Sequence, residues 1–560
     1  MKKLILAALA VLVLVGLWSA GRPAYRRYKE ARAVSRAVRF LERGDLASAS
    51  LSVRQALALD PRSLPACRLM AELASIVGAP QALDWRRRIV ELAPTPENKM
   101  ALARTAVAVQ PAPYPLAAQI LVELAPTCSN SIPFHVLSAE LALKTGLIAD
   151  AESHFLTATS LEPTNELHWL NLAVVRLLST NATTAAVGRA ALERFAARTN
   201  LLALRSLVVD SLNHSNLGVA DSLSRQLLAR PHPPLEDQLQ QLGILQAERA
   251  AEFQTSLASV QRETATNAGA IYAVSSWMRQ HELAREALRW VRQCPAAVRE
   301  QMPVQLATTD LLVSIGDWQG LEQFLENRNW KEVEFLRLAW LSEAAGAQNN
   351  HTDSERQWRL ALHEAGERLG PLSSLLAFAT SRQHPDLRED LLWRIVRQFS
   401  RERWAAQALG QLYYSAGDTR GLQKLWASVA HRNAHDFVAR NNWAATSLLL
   451  NLDLPRAHQV AGENYAARPA DPIIAATYAF SLHMQHRTQE GLAVFEKLGT
   501  RALADPTVSL YYGVLLAARN QTSKAGAYLD AGARAPLLPE EKELLRAALR
   551  VTAPARKSEG

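Results

Sequence analysis

Cysteine is nearly missing from this chain of 560 residues: only Cys67, Cys128 and Cys294 occur, an odd number with no CxxC pair. That excludes a disulfide framework and a cysteine-based zinc site, and it leaves three small apolar residues expected in the interior. Runs of strand type, rich in alternating Val, Ile and Thr, are also scarce, so no sheet is expected. Low-complexity tracts are lacking. The 24 glycines and 26 prolines stand as punctuation between helical runs. The catalytic signatures are absent too: no G-x-S-x-G elbow, P-loop, HExxH or G-x-G-x-x-G occurs. Their absence argues against an enzyme. A divergent site in the weakly patterned middle, 199–400, stays as the alternative. No cofactor, metal or small-molecule substrate is expected.

What the chain does have is Ala and Leu, which dominate an apolar share of 49% and are strong helix formers. The net charge of +9 is thin over so large a surface and does not by itself point to nucleic acid. Its densest block is Arg22, Arg26, Arg27, Lys29, Arg32, Arg36 and Arg39. That block follows an unbroken apolar run, Leu4 to Ala20, which is preceded by Lys2 and Lys3. Basic residues at that place suit lipid head groups. The run is at the lower limit for a membrane span. An uncleaved single-pass anchor is the preferred reading, with residues 22–30 as a basic juxtamembrane linker. A cleaved signal peptide ending near Ser19-Ala20-Gly21 is the rival. The side of the membrane that holds the bulk of the chain stays open between cytoplasm and periplasm.

From about Ala31 the pattern is helix, short turn, helix, short turn. The spacing predicts helices over Ala31 to Arg43 and Leu46 to Leu59, with Gly44 closing the first and Asp45 capping the second. Asp60-Pro61 stops the second helix. The skeleton Gly44, Ala49, Val53, Ala56, Pro61 returns as Gly146, Ala151, Phe155, Ala158, Pro163, with identical offsets. Gly78, Pro94 and Pro126 continue the period, and Gly316-Asp317 and Gly417-Asp418 repeat the turn. Tyr478-Ala479 with Gly491-Leu492, and Tyr511-Tyr512-Gly513 with Ala525, suggest two more pairs of helices. The small residues are expected where helices approach most closely; Val53, Phe155 and Trp426 are expected to fill the gaps between units. Arg230-Pro231-His232-Pro233-Pro234 is the strongest break and a candidate hinge. Gln348 to Asp353 reads as a turn, and 551–560 as a disordered tail.

These spacings resemble the tetratricopeptide repeat, a helix-turn-helix unit of about 34 residues with the pattern W-x2-L-G-x2-Y, A-x3-F, P. The match is good at 31–61 and 135–163 and fair at 64–94, 166–195, 403–430 and 470–498, while 199–400 keeps the period and loses the signature residues. The resemblance implies an all-α, right-handed α-solenoid over 31–550, with about fifteen units.

In that family the first helices line a concave groove that holds a partner peptide. By the resemblance Asn171, Gln407, Gln411 and Tyr414 would face it, with amides suited to peptide backbone. The Lys/Asn set that some members use to clamp a C-terminal carboxylate does not occur here. His431 with His435, and His483 with His486, have spacings open to metal, but they fall at helix ends and read as surface turns. Arg86-Arg87-Arg88 beside Trp85 reads as a solvated outer face; no nucleic-acid partner is expected. The function so implied is a membrane-tethered scaffold, of bacterial type, that binds other proteins or peptides. An accessory part of a protein or polysaccharide export machine is the alternative.

Overall fold

A computed structural model describes residues 25–79, 81–109, 114–400 and 402–552. The apolar run Leu4–Ala20, Arg22 and the tail beyond Thr552 lie outside the described residues. Within the described residues every regular element is helical, and no helix is long and apolar enough to cross a membrane.

The chain divides into two units, Met1–Trp277 and Met278–Gly560. The first begins with a helix over 25–42, so the residues read as the end of a linker, Tyr25 to Glu30, are already helical. Its partner is Leu46–Leu59, with the predicted bounds. Further antiparallel pairs follow, from Leu64–Ile76 with Ala82–Leu92 to Leu235–Ala247 with Phe253–Thr264. The second unit repeats the device from Met302–Ser314 with Trp318–Glu326 to Pro506–Ala518 with Thr522–Gly532. A single helix, Pro539–Thr552, closes it. Helices pack chiefly against their immediate predecessors and successors in the chain, as a linear repeat array requires.

The weakly patterned middle holds the same hairpins. First helices begin at Leu201, Leu235, Ala268, Met302, Glu334, Leu369 and Arg403, so adjacent units differ by 32 (302 to 334) to 35 residues (334 to 369). The chain is therefore an all-α array of helix hairpins with the period of about 34 residues seen in the tetratricopeptide repeat.

The turn chemistry is as the sequence proposes where glycine marks it. Gly44, Gly316 and Gly417 take φ of +75°, +73° and +67°. The aspartate that follows each accepts from a backbone N–H three residues on: Asp45 from Ser48, Asp317 from Gly320 and Asp418 from Gly421. Ala49, Ala56, Ala151 and Ala158 are fully buried, with Val53 and Phe155 between them. Each such large side chain taken from water contributes about 1.5–3 kcal/mol. All three cysteines are buried.

Three expectations need correction. Pro126 does not stop a helix; it lies inside the last turn of Pro115–Cys128. The turn read over Gln348 to Asp353 is shorter, because Asn350 caps a helix that starts at His351. Arg86 is not on a solvated face: it is half-buried, with its Nε unpartnered, and burial pulls its guanidinium pKa down. Arg87 and Arg88 are exposed. The proline break 231–234 falls inside the first unit, where Gln238 Nε2 donates to the Pro233 carbonyl across it at 3.1 Å.

Candidate functional site, a groove near the C-terminus

Gln407, Gln411 and Tyr414 share one face of the helix Arg403–Ala416, at offsets of four and three residues. The structure brings them together along one open cavity of about 460 Å³ in the second unit, a size within the usual range for ligand sites. Its walls come from first helices of successive hairpins: Arg403–Ala416, Phe437–Leu449, Pro472–Met484 and Pro506–Ala518. The closing helix Pro539–Thr552 supplies the far rim through Glu541, with Leu538 just before it.

Asn171 is not part of this site. It is half-buried on Glu166–Leu177 in the first unit. Trp426 is half-buried: it packs on the core beside residues of the neighbouring hairpins and also lines the groove. The reason is Gly410, where an added Cβ would stand 3.1 Å from Trp426 Cζ2, so the bare helix surface lets the indole lie across it. A smaller cleft of about 140 Å³ continues past Gln407 and Trp426 toward Arg432 and Asp436.

The walls are mainly apolar, with Leu422, Val438, Leu449 and Ile473 among them. The polar groups are uneven in their satisfaction. Thr446 and Thr477 spend their hydroxyls on helix carbonyls four residues back, at 2.7 and 3.1 Å. Gln411 Nε2 donates to Ser415 Oγ at 3.2 Å. The Tyr414 hydroxyl donates to the Pro536 carbonyl, tying this hairpin to the segment before the closing helix. Thr419 donates to Glu540 on the same rim.

Glu541 is 6% exposed. It accepts from the Tyr511 hydroxyl at 2.7 Å and from the Leu538 N–H at 2.9 Å. Burial and then the Glu541 charge push the Tyr511 phenol well above its ordinary pKa, and the same two causes raise Tyr414. Asn441 is 3% exposed and its Oδ1 has no hydrogen-bond partner.

Asn441, Asn442 and Glu541 were not singled out from the sequence, and Trp426 was expected only as packing between units. A signal existed for one of them. Asn441 stands four residues into its first helix, as Gln407 does, 34 residues earlier. Glu541 had none, because the helix Pro539–Thr552 carries no repeat signature.

The histidine pairs do not assemble. His431 lies in the last turn of Thr419–Arg432 and His435 beyond it; His483 ends Pro472–Met484 and His486 sits in the following turn. Among the described residues no group of three His, Cys, Asp or Glu could hold a metal.

The site thus belongs to an array of helical hairpins that presents a groove. The sequence matches no family model and no curated protein. Among solved structures, a structure of Naa15/Naa10 bound to HypK-THB is similar at 14% identity, covering 93% of this chain and 74% of that one, with a TM-score of 0.24. A crystal structure of the APC/C hetero-tetramer Cut9–Hcn1 is similar at 10% identity, covering 87% and 97%, with a TM-score of 0.27. Both scores are too low to equate the arrangements, and the fold stands on the hairpins themselves.

Proposed function

We propose that the chain is a membrane-tethered scaffold of tetratricopeptide type that captures an extended segment of a partner protein in the groove at Gln407, Gln411 and Tyr414. One observation carries the reading: the buried Asn441 Oδ1 in the groove wall is without a donor. An orphan buried acceptor costs about 1–3 kcal/mol, and a peptide N–H would remove that cost. The exposed amides of Gln407 and Gln411 offer a donor and an acceptor each beside an apolar wall, which suits a backbone with side chains on both faces. Asn171 is a second contact of the same kind in the first unit. The tether rests on the apolar run Leu4 to Ala20 and the arginines after it. Tethering would raise the local concentration of a captured partner near the bilayer.

Display of random peptides on the full-length chain tests the groove. Enriched peptides should bind the native chain and lose binding in Ala445→Arg, which sets a long side chain into the cavity wall. Peptides that bind this variant as well as the native chain, or no enrichment at all, would refute the groove reading. Retention of the full chain in membranes after alkaline carbonate washing tests the tether, and complete release would refute it.

A further inference from the structure

Glu541 has two neutral donors, Tyr511 and the Leu538 N–H, and no cationic partner. No Lys, Arg or His nitrogen among the described residues forms an ion pair with it. It is also the one charged residue on the cavity wall. The adjoining residue Glu540, at the same helix end, adds a second carboxylate at the rim, held by the Thr419 hydroxyl. The N-terminus of Pro539–Thr552 offers a partial positive charge of roughly half a unit, short of what a carboxylate removed from water needs. Buried charges are ordinarily paired. Here none of the described residues supplies the pairing group.

Two further observations point to the same ligand. Asn441 Oδ1, in the same wall, lacks a donor, so both unmet demands are for hydrogen-bond donors. Trp426, Tyr414 and Tyr511 give the cavity aromatic lining, and ring faces attract ammonium and guanidinium groups. Leu422, Val438 and Ile473 suit an aliphatic stem.

We propose that this cavity takes a basic side chain, the ammonium of lysine or the guanidinium of arginine, presented by the segment that the groove holds. The inference rests on the groove reading and adds to it the charge that the partner must carry. Its aliphatic stem would lie against Leu422 and Val438 and its cationic head would point toward the part of the wall that holds Glu541 and Asn441.

Three acetylated, amidated nonapeptides of Ala and Gly, with a central lysine, norleucine or glutamate, test it on the full-length chain by calorimetry, with n-butylammonium chloride as a fourth probe. The lysine peptide should bind at least about tenfold more tightly than the norleucine peptide, as a charged hydrogen bond implies. Added salt should narrow the difference, and Glu541→Gln should abolish it. Equal binding of the three peptides would overturn the basic side chain and leave the groove standing. Failure of all three to bind would overturn both. Butylammonium that binds as tightly as the lysine peptide would identify a free amine as the occupant and overturn the partner segment. The comparison of peptides on the native chain decides the matter even where Glu541→Gln proves unstable.

Discussion

Nδ1 of His135 lies 3.0 Å from Nδ1 of His154, and Nε2 of His135 lies 2.8 Å from the Ser129 carbonyl. A carbonyl only accepts, so Nε2 of His135 carries the proton and its Nδ1 accepts from His154. Burial, and then the neighbouring His135, hold the His154 pKa below its ordinary value. The folded protein thus binds protons more weakly at His154 than the unfolded chain does. The stability gained is present above about pH 6.5 and is lost as pH falls below it. Burial lowers His458 and His483 in the same direction. Melting temperature should therefore fall between about pH 7 and pH 5, and less steeply in His154→Asn. A flat profile in the native chain would contradict this.

Arg249 takes a φ of +54° in the turn between Leu235–Ala247 and Phe253–Thr264. Left-handed backbone costs an L-residue about 1–2 kcal/mol. The Arg249 side chain is exposed, so the side chain itself does nothing to offset that cost. Arg249→Gly should raise stability by up to about 1 kcal/mol after the entropy of a freer unfolded chain is subtracted. Asn349, at φ +63° in a later unit, should gain less from the same change because asparagine tolerates the conformation. Urea unfolding of the two variants distinguishes the cases.

The same turn explains how far the sequence could be read. One left-handed residue closes the first helix of most units, and the series Ser215, Arg249, Glu282, Gly316, Asn349, Gln383, Gly417 runs on at 33 (249 to 282) or 34 residues (215 to 249). Where glycine holds the position, as at 44, 146 and 417, the hairpin announces itself. At Ser215, Arg249, Glu282 and Gln383 the backbone is the same and the letter is not, so 199–400 looked decayed while its geometry is intact. Packing, and not the turn residue, sets the backbone there. The groove was legible on one wall only. Gln407, Gln411 and Tyr414 were placed by resemblance to the first helix of a tetratricopeptide unit, but Glu541 joins the same cavity through a fold-back from beyond the last hairpin, across more than 120 residues, as Tyr414 to Pro536 is. Local pattern carries no trace of such a contact.

Asp237, 3% exposed, accepts from Arg205 Nε at 2.8 Å and Arg205 Nη2 at 3.0 Å, and also from Arg230 beside the proline break. Either arginine alone neutralises the carboxylate. Arg205→Ala and Arg230→Ala should each cost little, whereas the double variant leaves a buried charge unpaired and should cost about 3–5 kcal/mol. A double-mutant cycle in urea should therefore be strongly non-additive. Simple additivity would mean that the two arginines act independently.

Gly188 marks a close helix approach in the first unit. A Cβ there would stand 2.6 Å from Leu177 N and 2.7 Å from the Ala173 carbonyl oxygen, both backbone atoms that cannot turn aside. Gly526, inside Thr522–Gly532, has nothing within 4 Å of the same construction. Helix propensity favours alanine at both by about 1 kcal/mol. Gly526→Ala should realise that gain. Gly188→Ala should be destabilising on balance, since overpacking costs about 1–3 kcal/mol. Thermal melts of the two variants should move in opposite directions.

The closing helix Pro539–Thr552 has one packed face, with Leu545 and Ala548 buried against the hairpin Pro506–Ala518 and Thr522–Gly532. It is held further by Tyr414 to Pro536 and by Thr419 to Glu540. In an array whose elements touch mainly their neighbours, loss of contact at the end need not be felt in the interior. Leu545→Ala removes buried methyl groups at a site where the helix can undock, so its cost, about 2 kcal/mol at the lower end for such a change, should appear as local opening. Hydrogen exchange should speed up over 539–552 and at the exposed backs of 506–532, while amides near Leu375 and Ile395, fully buried in the hairpin before the one that Pro536 and Glu540 touch, keep their protection. Uniform acceleration through the second unit would show instead that the closing helix is an integral part of one cooperative core, and the rim that carries Glu541 would then be as permanent as the groove wall it faces.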